Sequence, residues 1–118
     1  MAQIKIEDET VMIRLSRAEK LGALHGDLRF PLSAVRAARV VDKPFAEIQG
    51  LRSPGTRVPG IMALGTWRRR GGERDFVAVY RGERGIVVEV DPNASSYLRV
   101  ILSTKDPDGV RNLLAAAA

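Results

Sequence analysis

Phe76-Val-Ala-Val-Tyr80-Arg-Gly-Glu-Arg-Gly85-Ile-Val-Val-Glu-Val90-Asp-Pro-Asn93 decides the fold class. Phe76, Ala78 and Tyr80 alternate with Val77 and Val79, and Ile86, Val88 and Val90 share one face with Glu89 opposite. A period of two is the signature of strands, because successive side chains point to opposite faces of a sheet. Gly82 and Gly85 frame a tight turn between the two runs, and Asp91-Pro92-Asn93 makes the next turn.

The same alternation extends in both directions. Downstream, Leu98, Val100 and Leu102 alternate with Arg99, Ile101 and Ser103. Upstream lie an apolar run from Ile61 to Trp67, an extended stretch from Val35 to Val41, and Leu28, Phe30 and Leu32 around Arg29 and Pro31. A first strand carries Val11, Ile13 and Leu15 on one face. The total is about seven strands, with hairpin-like spacing in the second half.

Helix signals interrupt this pattern at few points. Ser16 and Glu19 have the spacing of a capping box, which predicts a short helix through Leu21 and Leu24, stopped by Gly26. Pro44 opens one further helical turn with Phe45, Ile48 and Leu51 on one face, ended by Gly50. Asp106 as N-cap and Pro107 at the first position predict a C-terminal helix with Val110, Leu113, Leu114 and Ala117 along one side. Between Asp42 and Gly60 the reading leaves a connection of nearly twenty residues, a length typical of functional loops.

The expected architecture is mainly β. Two roughly orthogonal antiparallel sheets, or an open barrel, are capped by the C-terminal helix in a single domain over residues 1–118. Apolar residues make up 45% of the chain and charged residues 28%, as in folded soluble domains. There is no cysteine and one histidine, His25, so thiolate and histidine-rich metal sites are excluded and no cofactor is expected. The opening residues lack the basic start and apolar run of a signal peptide, and no apolar stretch is long enough to span a bilayer. A cytoplasmic location without a transmembrane segment is therefore expected.

The net charge of +5 is concentrated in the middle third, where eight arginines between Arg52 and Arg84 face three acidic residues. Arg57, Arg68, Arg69, Arg70 and Arg74, with Trp67 beside them, form the candidate ligand or partner surface. Arginine forks onto phosphate or carboxylate and stacks on flat rings. Along an extended strand, however, Arg69 faces opposite to Arg68 and Arg70. Few aromatics interleave with these arginines, which argues against a nucleic-acid platform. Gly55 to Gly60 lacks the Gly-Lys-Ser/Thr ending of a phosphate loop and reads as turn geometry. His25 reads as the cap of the short helix, and Glu7-Asp8-Glu9 as a solvated terminus. No nucleophile, base and orienting group assemble from these residues, so an enzyme is not expected.

As a set, several segments resemble the bacterial pleckstrin-homology-like domains, and more narrowly small actinobacterial members grouped with them. They are Leu15-Ser-Arg-Ala-Glu-Lys-Leu21, Phe30-Pro-Leu-Ser-Ala-Val35, Gly55-Thr-Arg-Val-Pro-Gly60, Ala63-Leu-Gly-Thr66, Phe76-Val-Ala-Val-Tyr-Arg-Gly82 and Ser103-Thr-Lys-Asp-Pro107. The resemblance implies a seven-stranded, helix-capped barrel and brings no agreed activity. Phosphoinositide-binding relatives of that fold place a basic-x-Arg triplet on the second strand. Here Arg29 is followed by Phe30-Pro31, and Lys20 lies in the predicted helix. The expected role is thus a non-enzymatic binding or scaffolding module. Its expected partner is a protein, another chain or a second copy, and the alternative is an anion-binding module whose arginine-rich face meets membrane headgroups or nucleic acid.

Overall fold

The capping box at Ser16 closes as the sequence predicts. Glu19 N–H donates to Ser16 Oγ at 3.1 Å and Ser16 N–H to Glu19 Oε1 at 2.8 Å, opening helix α1 (Arg17–Ala23). The helix ends one turn before Gly26, at Leu24, which adopts the left-handed conformation (φ 52°) usually left to glycine. The computed structural model describes residues 1–117.

Strands β1 (Gln3–Glu7), β2 (Thr10–Arg14) and β3 (Leu28–Pro31) form a small antiparallel sheet in that order. A larger sheet holds β4 (Val35–Val41), β5 (Leu51–Val58), β6 (Met62–Arg68), β7 (Arg74–Tyr80), β8 (Gly85–Val90) and β9 (Arg99–Ser103) in the order β4-β8-β9-β7-β6-β5. Helix α2 (Pro107–Ala117) follows. The chain is mainly β, with two sheets and a C-terminal helix, and the sheets do not close into a barrel.

The described residues contain nine strands, against the seven expected. One addition is β1, whose partner β2 is reached through Asp8 and Glu9, both at positive φ (49° and 61°). The acidic run is therefore the tip of a hairpin and not a loose terminus. The other is β5, which occupies half of the supposed long loop. Its Pro54 is tolerated because β5 is an edge strand with an irregular register between Arg52 and Gly55. Gly55 and Gly65 are register partners across β5 and β6. A Cβ on Gly65 would lie 2.4 Å from the Pro54 carbonyl oxygen, so only glycine permits this approach.

The expectation of wholly antiparallel sheets also needs correction. β9 inserts between β7 and β8 and runs parallel to β7. The Gly82–Gly85 turn consequently steps across β9 and joins no hairpin. Every residue of β9 is buried, and a strand covered on both faces takes the sheet centre.

Each face of the large sheet has its own core. Leu64, Phe76, Ala78, Ile86, Val88, Val100 and Leu102 pack beneath the small sheet, with Val11, Ile13, Leu28 and Phe30 opposite and Leu114 from α2 at one side. Leu113, expected on the buried side of α2, is exposed. Ala63, Trp67, Val77, Val79, Val87 and Ile101 form the second core, covered by Val41, Phe45 and Ile48 around the 3₁₀ turn Pro44–Glu47. Among the described residues, no helix is long and apolar enough to cross a membrane.

Candidate functional site

The candidate arginines do not converge. Arg57 pairs with Ala63 in register and Leu51 pairs with Arg68, so Arg57 lies roughly 16 Å along the sheet from the other arginines. Arg68 and Arg74 are cross-strand partners on β6 and β7, and Arg70 stands in the exposed turn after β6. Arg74 lies over the Tyr97 ring, 5.5 Å from its centroid. Trp67 is 1% exposed in the second core, which rules it out as a stacking platform for a ligand ring.

Arg69 is the exception. It projects to the face of Trp67 and Asp75, where its Nε donates to Asp75 Oδ2 at 3.0 Å. Arg99 on β9 is the register neighbour of Asp75 and reaches the same oxygen from Nε (3.2 Å) and Nη2 (2.8 Å). Arg99 Nη2 also donates to the Glu47 carbonyl at 2.7 Å, while the Glu47 carboxylate pairs with Arg39. The 3₁₀ turn over the second core is thereby pinned at Glu47 by two arginines. Asp75 is fully buried and its Oδ1 has no hydrogen-bond partner among the described residues, so this carboxylate is held by charge on one side only.

A cavity of about 390 Å³ opens beside this network, lined by Arg36, Gln49, Arg69, Glu89, Val90, Leu98 and Arg99. The Nη1 atom of Arg99 and both Nη atoms of Arg69 make no hydrogen bond to the described protein. Arg36 pairs with Asp91 at 3.3 Å, and Glu89 is the register partner of Arg99 on β8.

A second feature lies at the adjacent edge. β4 bonds to β8 on one side, and apart from the Val35 N–H, which donates to the Leu32 carbonyl at its start, no other backbone hydrogen bond among the described residues involves it. Between β4 and α2 runs a groove of about 190 Å³, lined by Val35, Arg36, Ala37, Ala38, Arg111, Leu114 and Ala115.

The remaining titratable contacts tie elements together. Glu19 is buried, and its Oε2 accepts from Tyr80 Oη at 2.7 Å, which joins α1 to β7. Burial first, then the bond to Glu19 and its charge, push the Tyr80 hydroxyl far above the usual phenol range. Asp27 accepts from Leu15 N–H at 2.8 Å, and that backbone bond lowers its carboxyl below 3.8 against the opposing effect of burial, with Lys20 adding to the lowering. His25, expected as a helix cap, caps α1 through its backbone, its N–H donating to the Lys20 carbonyl at 3.1 Å, while its ring stands edge-on to Phe76 at 5.4 Å and beside Tyr97. Among the described residues, no group of three or more His, Asp or Glu is placed to hold a metal ion.

The chain matches no family model, no curated protein and no solved structure. Sequence reasoning missed Asp75, Arg99 and Arg36 as site residues, because nothing local joins Asp75 to Arg99 across 24 positions. The available signal was the pair of charged residues interrupting apolar strands at Asp75 and Arg99.

Proposed function

We propose that this chain is a non-catalytic binding module of the pleckstrin-homology-like kind, taking an extended protein segment along the free edge of β4. One observation carries the reading: a seven-residue strand without proline, unpaired on one side, flanks a groove against α2. An added strand gains main-chain bonds from β4 and side-chain specificity from the groove. The opposite edge, β5, is guarded by Pro54; both edge strands carry a register shift, at Val35–Ala37 in β4 and at Arg52–Gly55 in β5. The acidic side chains closest to a catalytic arrangement are committed elsewhere, Asp75 to two arginines and Glu19 to Ser16 and Tyr80.

The occupant is a segment of another protein with acidic side chains. Arg36 and Arg39 on β4 pair with Asp91 and Glu47 yet stay half exposed, and Arg111 lines the groove, so an acidic segment can share these guanidinium groups while a second copy brings more arginine to them. The test selects binders from a random-peptide library and follows amide exchange. The β4 amides that face away from β8 should exchange quickly in the free protein and slowly with peptide bound, and Ala38→Pro should abolish binding. Binders that protect other strands, or a dimer in light scattering that vanishes in Ala38→Pro, overturn the reading. Because a proline in a paired strand can perturb the fold, Arg111→Glu serves as a second variant and should weaken acidic peptides selectively.

A further inference from the structure

We propose that the cavity over Arg69 and Arg99 binds a small carboxylate bearing an ammonium or hydroxyl donor beside its carboxyl group. This does not rest on strand addition at β4. Arg99 is 6% exposed, and a buried guanidinium oriented by a buried Asp75 is a fixed donor. Arg69 is oriented by the same oxygen, so one negative charge serves two guanidinium groups and leaves a net positive charge beside the cavity. Their unused Nη donors suit the planar, two-oxygen geometry of a carboxylate. Arg36 adds a third guanidinium, partly spent on Asp91.

Glu89 sets the class of ligand. It lines the same cavity without an ion-pair partner among the described residues, and Gln49 supplies a neutral donor and acceptor. A dianion such as phosphate meets repulsion from Glu89, whereas a donor next to the carboxylate satisfies it. About 390 Å³ accommodates a ligand of amino-acid or hydroxy-acid size.

Glycine, glycolate, acetate and inorganic phosphate, each titrated into the isotope-labelled protein, test this by NMR. Glycine and glycolate should give saturable shifts at Arg69, Glu89, Leu98 and Arg99, with acetate weaker and phosphate weakest. Arg69→Ala should weaken glycine by about tenfold or more, the loss of a charge-assisted bond. Asp75 keeps its bonds from Arg99 in that variant, so the rest of the spectrum should be unchanged. Glu89→Gln should remove the preference for glycine over acetate. Failure of all four probes to saturate, shifts indifferent to Arg69→Ala, or phosphate binding above glycine would each overturn the assignment. The β4 amide-exchange experiment is untouched by any of these outcomes.

Discussion

Asp75 and Phe76 are neighbours in sequence and sit on opposite faces of one strand, and their surroundings differ in kind. Phe76 lies in the larger core, walled by the small sheet and by the rings of His25 and Tyr97. Asp75 lies at the end of the second face, where five buried apolar residues, Ala63, Val77, Val79, Val87 and Ile101, give way to a row formed by Glu89, Arg99, Asp75 and Trp67. The first face is covered by a sheet and a helix. The second is covered by a single 3₁₀ turn, too small to bury a whole sheet face with apolar contacts alone. Where that cover ends, paired charge takes over. Such pairing orients groups well and contributes little net stability, since desolvation offsets attraction.

The largest expected effects test this contrast at adjacent positions. Phe76→Ala should cost about 3–5 kcal/mol by opening a cavity in the closed face. Asp75→Ala should cost a similar amount, about 3–5 kcal/mol, for a different reason: Arg99 is left charged and buried without its counter-ion. The double change Asp75→Leu with Arg99→Met should return most of that stability, and no comparable rescue exists for Phe76. Urea midpoints at constant slope measure all three. If the double variant stays as unstable as Asp75→Ala, the ion network is a main source of stability on that face and the contrast fails.

A smaller effect belongs to the close contact of β5 with β6, at the thinly covered end of the sheet. Gly65→Ala should destabilise by about 1–3 kcal/mol, since its φ of +136° is costly for alanine and the new Cβ meets backbone. Little change in midpoint would mean that the edge strand yields freely, weakening its role as the guarded edge.

The facing of the central strands was legible in the sequence. Alternation separated Phe76, Ala78, Val88, Val100 and Leu102 from Val77, Val79, Glu89, Arg99 and Ile101, and the structure divides them the same way. Local chemistry also placed α1 and α2, because caps act within a few residues. Strand order was not legible, since nothing nearby in sequence tells β9 to enter between β7 and β8. β5 was hidden by Pro54 and Gly55, which signal turns everywhere except at an edge. β1 was hidden because its turn uses Asp8 and Glu9 where glycine or asparagine is the usual signal. Of the candidate surface, Arg69 alone meets the buried network. The others scatter because a strand sends consecutive arginines to opposite faces.

Tyr80→Phe probes how the closed face holds α1, with an expected cost of about 1 kcal/mol. The Tyr80 hydroxyl titrates far above its ordinary 10.0, so its contribution is full below pH 10 and fades as pH rises through the higher folded value. The wild-type protein should therefore lose stability above pH 10 faster than Tyr80→Phe does, read from denaturation midpoints along an alkaline series. Equal slopes would mean that Glu19 accepts no bond from this phenol in solution.

The smallest effect is expected at Asp27, on the loop joining α1 to the small sheet. Its carboxylate accepts from Leu15 N–H, and its folded pKa lies below 3.8. A depressed carboxyl contributes fully above its unfolded value and loses that contribution as pH falls through the folded one. Asp27→Asn keeps an oxygen for Leu15 and drops the charge facing Lys20, so its stability near neutral pH should change little. Below pH 3.8 the wild-type midpoint should fall more steeply than that of Asp27→Asn. Parallel curves would show that Asp27 is not held by Leu15, leaving α1 tied down by the buried Ala23, by the Glu19–Tyr80 bond and by the Thr56 bond to Gly22.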